Sequence, residues 1–206
     1  MSNLIALKEN GKCYIATCPL VCDNQEMQAL DSNLPIWRPK GCKDTVLCGA
    51  GKANLIMALR YQLGFIEEDE NGEMNDKYIS TELVHNVFDI LNHYSYVPRK
   101  DNEWKAQLVI GRKDRLYLID ADYACVEIED YFTTYKMDTA VDTVFDFTKG
   151  EDPIYRICLA FFINNEYYSG LICPLIIENV TDHKRYKLYR KDILRIIKNK
   201  GLKKVK

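Results

Sequence analysis

Three groups of residues have types and spacings that could do chemistry. Ser2 places a hydroxyl immediately before the first apolar run, and His85, Asp89 and His93 recur at intervals of four residues. A small-residue segment, Gly49-Ala50-Gly51-Lys52, ends in a cation. These patterns could serve, in turn, for nucleophilic attack, metal chelation and phosphate binding. Which of them matters depends on the elements that hold them.

The Gly49-Ala50-Gly51-Lys52 segment resembles only part of a P-loop. That motif needs a glycine five residues before the Gly-Lys pair and a serine or threonine directly after it. Val46 and Ala53 occupy those two positions. We therefore predict that the segment does not bind a nucleotide.

His85, Asp89 and His93 fall on a predicted helix whose opposite face is an apolar stripe. They share their face with Glu82 and Asn86. A polar helix face of this kind is typical of a solvated surface rather than of a metal site. The eight cysteines include no C-x-x-C pair, and several lie in apolar runs. We predict reduced thiols, no metal and no cofactor.

Charge is distributed unevenly along the chain, whose formal net charge is −2. From His183 to Lys206 there are eleven Lys or Arg and one acid, Asp192, so this tail carries +10 and the remainder −12. A basic tail can bind nucleic acid or an acidic partner. We favour a solvated C-terminal helix, because the acidic body would repel a polyanion.

Hydrophobic periodicity divides the chain into strands and helices. Asn10-Gly11 between two apolar runs predicts a tight hairpin at the start of the chain. The segment from Pro19 to Ser32 is predicted to be irregular. Further strands are predicted at 34–38, 45–48, 106–110, 116–120, 125–128 and 184–189. Helices are predicted at 52–63, at 79–94, from Pro153 onward, at 171–180 with a start near Pro174, and at 192–200.

This order segregates strands from helices, which favours an α+β fold. Two helix pairs covering two antiparallel sheets would form a four-layer α/β/β/α sandwich. We expect a single domain over 1–190 and a basic C-terminal helix or tail over 191–206. The sequence contains no apolar run of about 18 residues and no signal peptide, so we expect a cytoplasmic protein without a membrane span.

The opening segment and three later segments, in this order, resemble the proteasome β-subunit family, most closely its bacterial peptidases. The segments are Ser2-Asn3-Leu4-Ile5-Ala6-Leu7 with Asn10-Gly11, Cys13-Tyr14-Ile15-Ala16, Val46-Leu47-Cys48-Gly49-Ala50-Gly51-Lys52-Ala53-Asn54, and Leu108-Val109-Ile110-Gly111 followed by Leu116-Tyr117-Leu118-Ile119-Asp120. The resemblance covers about 2–189. It implies an N-terminal-nucleophile hydrolase fold and assembly into rings.

The resemblance also implies a mechanism. In this family the hydroxyl of the N-terminal residue attacks an amide while its own α-amine, with a pKa of about 7.7–8.0, accepts the proton. Ser2 falls at the nucleophile position once Met1 is removed. Gly49 is the candidate for the backbone N–H of an oxyanion hole. Asp182 matches a further aspartate of the family.

The sequence departs from the family at several site positions. Cys18 stands where the family has an aspartate at the end of the second strand. Where the family has a lysine, the matching position is Ile36, or a neighbouring residue if the strand register is shifted. The nearest cations are Arg38 and Lys40, and neither fits without such a shift. The family's Gly-Ser-Gly before the third helix reads Thr148-Lys149-Gly150.

These departures leave two functional hypotheses. The favoured one is a non-catalytic scaffold or assembly subunit with a degenerate active site, forming a homo-oligomer of the ring or stacked-ring type. The alternative is a serine-type N-terminal-nucleophile peptidase, with Ser2 as nucleophile and Arg38 or Lys40 as a relocated cation. A protein partner is compatible with both hypotheses; neither involves nucleic acid or a membrane.

Overall fold

The computed structural model describes residues 3–18, 20–23, 26–29, 35–65, 76–94, 106–120, 124–134, 138–168 and 174–202. Within these ranges the strands form two five-stranded antiparallel sheets and a separate two-stranded hairpin. No helix in this part of the chain is long and apolar enough to cross a membrane.

The first sheet has the strand order β10-β1-β2-β11-β12 and the second has the order β5-β6-β7-β8-β9. The strands of the first sheet are β1 (Asn3–Glu9), β2 (Lys12–Cys18), β10 (Tyr131–Thr133), β11 (Leu175–Asn179) and β12 (Lys184–Leu188). Those of the second are β5 (Ile36–Trp37), β6 (Thr45–Gly51), β7 (Ala106–Arg112), β8 (Arg115–Ile119) and β9 (Cys125–Glu127). The separate hairpin consists of β3 (Leu20–Asp23) and β4 (Glu26–Ala29).

Helices cover the outer face of each sheet. The helices are α1 (Ala53–Gln62), α2 (Asp76–Tyr78), a π-helical turn (Ile79–Leu83) leading into α3 (Val84–Tyr94), α4 (Asp138–Phe147), α5 (Pro153–Tyr168) and α6 (Arg190–Asn199). One core joins the first sheet to α4, α5 and α6, and a second joins the other sheet to α1 and α3. A third core lies between the two sheets. The predicted α/β/β/α sandwich is confirmed.

The first hairpin forms as predicted. Asn10 and Gly11 both have positive φ, 53° and 69°, as a two-residue hairpin turn with right-handed strand twist requires. The hairpin pairs Asn3 with Cys18 at one end and Glu9 with Lys12 at the other. The start of β1 and the end of β2 therefore lie at the same level of the sheet.

Three predictions of secondary structure are wrong. The predicted helix at 171–180 contains strand β11, because its short apolar run is buried on both faces between β2 and β12. Helix α4 was not predicted, although Val141, Val144 and Phe145 have helical spacing and are buried. The predicted irregular segment from Pro19 to Ser32 contains the β3–β4 hairpin.

Gly111 allows the two sheets to approach each other. A Cβ atom at this position would lie 2.9 Å from Ile15 Cδ1 and 2.9 Å from Val180 Cγ2, both side chains of the opposite sheet. Protein interiors are close-packed, so neither neighbour has free volume to move into. The spacing of the sheets at this point depends on the missing side chain.

We predict that Gly111→Ala destabilises the protein by about 1–3 kcal/mol, since it overpacks the inter-sheet core. The measurement is urea unfolding at constant m-value. Gly64→Ala is the matched control, because a Cβ atom at Gly64 would have no atom within 4 Å beyond its own chain neighbours. Equal urea midpoints of unfolding for the two variants would show that stability does not depend on the close approach of the sheets at Gly111.

Candidate active site

Threonine side chains and backbone groups hold the first described residues of β1. The Thr17 hydroxyl donates to the carbonyl of Asn3 at 2.9 Å. The Leu4 N–H donates to Thr134 Oγ1 at 3.3 Å, and the Leu4 carbonyl accepts from the Thr133 hydroxyl at 3.2 Å. The start of β1 is thereby fixed between β2 and β10. Ser2 itself lies outside the described residues.

The pleat of β2 decides which side chains can face the space between the sheets. Cys13 and Ile15 lie in the inter-sheet core, so Thr17, two residues further on, belongs to the same face. Cys18 lies in the core on the helix side. Thr17, fully buried, is therefore the inter-sheet residue at the end of β2. Strand alternation from Cys13 could have identified it from the sequence.

Cys18 also corrects the prediction that all eight cysteines are reduced. It forms a disulfide. Cys13, Cys48 and Cys158 are free and buried. Burial raises the pKa of the Cys158 thiol to about 12. Thiols this weakly acidic do not supply a thiolate nucleophile near neutral pH.

Ile36, which the resemblance matches to the family's lysine, has an apolar side chain. Ile36 is 0% exposed and belongs to the inter-sheet core. It is paired with Cys48 in the second sheet. An ammonium group in this layer would lose its hydration, which is costly without a paired charge.

Arg38, two residues after Ile36, is bound to the first sheet instead. Its Nη1 donates to the Lys43 carbonyl at 2.6 Å, and its Nη2 forms an ion pair with Glu178 Oε1. Glu178 is paired with Ile15 of β2. Ile15 is three residues, about 10 Å along the strand, from Cys18, which is paired with Asn3 at the start of β1. The guanidinium is therefore committed to a carboxylate well away from the start of β1.

Glu178 is a buried carboxylate shared by two arginines. Its side chain is 2% exposed, and its Oε2 lies 2.6 Å from Arg185 Nε. Arg38 comes from the loop after β5 and Arg185 from β12, so the carboxylate joins the edges of the two sheets. The two guanidinium groups neutralise the Glu178 carboxylate, which would otherwise be a buried charge without a partner.

Lys40 lies further along the same edge. It is exposed and lines an open cleft of about 630 Å³ together with Trp37, Arg60, Tyr61 and His183. The Arg38–Glu178–Arg185 group also borders this cleft. Most of the charged side chains that line the cleft are cationic. The cleft lies at the edge formed by β5 and β12.

The backbone N–H of Gly49 is engaged in the second sheet. It donates to the Pro35 carbonyl at 2.8 Å. A Cβ at Gly49 would lie 2.6 Å from Ile56 Cδ1, so this glycine serves the packing of α1.

Asp182 lies at the other end of the first sheet. It is in the turn between β11 and β12, where its Oδ2 accepts from Lys12 Nζ at 2.7 Å and from Asn179 Nδ2 at 3.0 Å. The hydrogen bond from Lys12 holds the pKa of this carboxyl below its usual range. Lys12 is six residues along β2 from Cys18, about 20 Å. The structure does not bring Asp182 to the start of β1.

Thr148-Lys149-Gly150 forms the turn between α4 and α5. The Thr148 hydroxyl accepts from Arg156 Nε at 3.3 Å. Arg156 is buried, and its Nη1 forms an ion pair with Glu9 at 2.5 Å. This turn therefore packs near the hairpin end of β1, where Glu9 lies, and not near Asn3.

The histidines of α3 lie on a surface. His85 Nε2 and Asp89 Oδ2 are 3.4 Å apart across one helical turn, with exposed side-chain fractions of 73% and 61%. The His93 ring packs edge-on against Tyr94, with ring centroids 4.9 Å apart. Within the described ranges, no three His, Cys, Asp or Glu side chains come together as metal ligands.

No family model matches the sequence, and no curated protein is similar to it at a significant level. Solved structures do match. Anbu, an ancestral β-subunit from Yersinia bercovieri, superposes with a TM-score of 0.68 at 12% identity, over 96% of this chain and 92% of its own.

Two further structures agree with this match. Thiobacillus denitrificans BPH in complex with epoxomicin gives a TM-score of 0.60 at 12% identity, over 91% of this chain and 99% of its own. HslV from Trypanosoma brucei gives a TM-score of 0.56 at 14% identity, over 85% of this chain and 97% of its own. The proteasome-like fold that the sequence resemblance implied is confirmed.

We predict that Glu178→Gln destabilises the protein by about 2–4 kcal/mol, because it leaves two arginines facing a neutral group at a buried position. Urea unfolding measures the change. Glu82→Gln removes an exposed carboxylate and should change stability by less than about 0.5 kcal/mol. A combined Arg38→Met/Glu178→Leu/Arg185→Met variant should recover most of the loss. Equal stability of Glu178→Gln and wild type would mean that the shared carboxylate does not join the sheets.

Proposed function

We propose that this chain is a proteasome-subunit-like protein with a degenerate active site, which acts as a non-catalytic subunit of a homo-oligomeric assembly. The observation that carries the proposal is the burial of Ile36 in the inter-sheet core. A catalytic cation at this position would have to face the start of β1 from within that core. The cation nearest in sequence, Arg38, is paired with Glu178.

Two other positions support the proposal. Thr17, a neutral residue, faces the inter-sheet space at the end of β2, a position where a carboxylate could otherwise orient a nucleophile. Gly49 gives its N–H to Pro35. Groups of a catalytic triad act as a unit, and loss of one member can remove most of the rate enhancement. A hydroxyl at Ser2 would then lack most of its helpers.

The assembly part of the proposal rests on exposed apolar side chains. Phe147 on α4 and Leu194 on α6, two helices of the same layer, are 86% and 43% exposed. Large apolar groups on the surface of a folded domain are typical of protein–protein contacts when they lie together in patches. A cytoplasmic location is also part of the proposal: the free thiols of Cys13, Cys48 and Cys158 are usual in a reducing compartment, whereas the disulfide of Cys18 is not.

We predict that untagged protein hydrolyses peptide and acyl-amide substrates no faster than its Ser2→Ala variant. The reason is that Ile36 is an apolar member of the inter-sheet core and Arg38 is paired with Glu178. Ser80→Ala, at an exposed serine, is the matched control. Intact mass must first show that Met1 has been removed, so that the α-amine of Ser2 is free. Hydrolysis lost in Ser2→Ala but kept in Ser80→Ala would establish the serine-type hydrolase instead.

We also predict that the protein self-associates. Light scattering at micromolar concentration should give a mass that is an integer multiple of the 24.0 kDa chain. The measurement is made on the full-length protein without a tag. A mass of one chain across this concentration range would contradict the assembly role.

A further inference from the structure

The open cleft at the edge formed by β5 and β12 has the size and the charge of a binding site for a small anion. Its volume of about 630 Å³ lies within the range of small-molecule sites, about 300–1,000 Å³. Five charged side chains line it: Arg38, Lys40, Arg60, Arg185 and Glu178. With His183 neutral, these groups carry a net charge of +3, although the whole chain carries −2. A local excess of positive charge on an acidic protein favours an anionic ligand.

The buried carboxylate of Glu178 does not neutralise the cleft. One of its oxygens binds Arg38 and the other binds Arg185, so the group of three retains one positive charge. The side chains of Arg38 and Arg185 are 29% and 37% exposed, and this charge therefore reaches the cleft. Because the carboxylate already holds both guanidinium groups in place, an anion that binds them loses little affinity to side-chain ordering.

A tight turn after β5 places Lys40 at the cleft. The Cys42 N–H donates to the Pro39 carbonyl at 3.1 Å, and Gly41, the third residue of the turn, has a φ of 87°. A hydrogen bond of this kind with a positive φ at the third residue is typical of a type II turn, in which Lys40 is the second residue. The Lys40 side chain is exposed. Its ammonium group is therefore carried on a fixed backbone and is accessible to a ligand.

Helix α1 adds an aromatic ring beside a further cation. Tyr61 is 69% exposed, and the Arg60 guanidinium lies 5.9 Å from the centre of its ring. Arg60 also offsets the negative end of the α1 dipole, which would otherwise disfavour an anion. An exposed tyrosine ring can stack on any nucleobase, because every base has a flat π face. The cleft thus combines positive charge with a surface for a planar ring.

We propose that this cleft binds a nucleoside di- or triphosphate, with the phosphates at Lys40 and the arginines and the base on Tyr61. Guanidinium groups suit phosphate oxygens in both charge and geometry. A simple inorganic anion would leave the aromatic ring unused, and a nucleic-acid duplex would meet the acidic remainder of the chain. The site is separate from the Gly49–Lys52 segment and from the start of β1, so the inference does not depend on the proposed function.

Binding calorimetry on the full chain tests the proposal, with ATP, GTP, CTP and UTP as probes and tripolyphosphate as the ligand without a base. We expect at least one nucleotide to bind more tightly than tripolyphosphate, with an affinity that falls as salt is added. Lys40→Gln/Arg60→Gln should weaken nucleotide binding at least about tenfold, because it removes two charged donors. Tyr61→Ala should lower the nucleotide affinity to that of tripolyphosphate, and Tyr61→Phe should retain it. Arg38 and Arg185 stay unchanged, since they hold Glu178.

The matched control is Lys77→Gln/Lys198→Gln, which removes the same charge from two exposed sites outside the cleft and should leave binding unchanged. Equal urea midpoints of unfolding show that the variants are folded. Absence of binding by all four nucleotides at millimolar concentration overturns the inference, and so does an unchanged affinity in Lys40→Gln/Arg60→Gln. If tripolyphosphate binds as tightly as the nucleotides and Tyr61→Ala has no effect, the cleft is a plain anion site and the inference fails. Binding to a nucleic-acid duplex alone also contradicts it.

Discussion

The apolar layer between the two sheets is the constraint that shapes every other part of the structure. Both sheets contribute fully buried aliphatic side chains to it, among them Leu4, Ile15, Val109 and Ile176. Burial of such side chains is worth about 1.5–3 kcal/mol each, so the layer is a large part of what holds the sandwich together. Gly111 keeps the sheets close enough for these contacts. Helices are then added on each outer face.

The same layer restricts the chemistry available at the start of β1. Ile36, the residue that the proposed function matches to a catalytic cation, is an aliphatic member of this layer. The charged group formed by Glu178 with Arg38 and Arg185 lies instead at the edge of the sandwich. At the edge the arginines keep part of their hydration, whereas within the layer a lysine would lose it. In the proposed function, packing and catalysis compete for the position of Ile36.

Local sequence signals predicted the hairpin at Asn10-Gly11, most strands and helix α5, since turn chemistry and periodicity act within a few residues. They failed at β11, where a short apolar run has no period that separates strand from helix. Within the candidate site, the apolar character of Ile36 could be predicted from the sequence. The hydrogen bond of Gly49 to Pro35 and the distance of Asp182 from Asn3 could not, because both depend on strand register between segments far apart in the chain.

The proposed function holds that the fold is retained in this chain while the nucleophilic site is not. The sharpest test is the intact mass of untagged protein, with Met1 removed, after incubation with epoxomicin, the compound bound in one of the similar structures. We expect an unchanged mass. A mass increase equal to one epoxomicin, absent from the Ser2→Ala variant, would show that Ser2 is a working nucleophile and would overturn this interpretation.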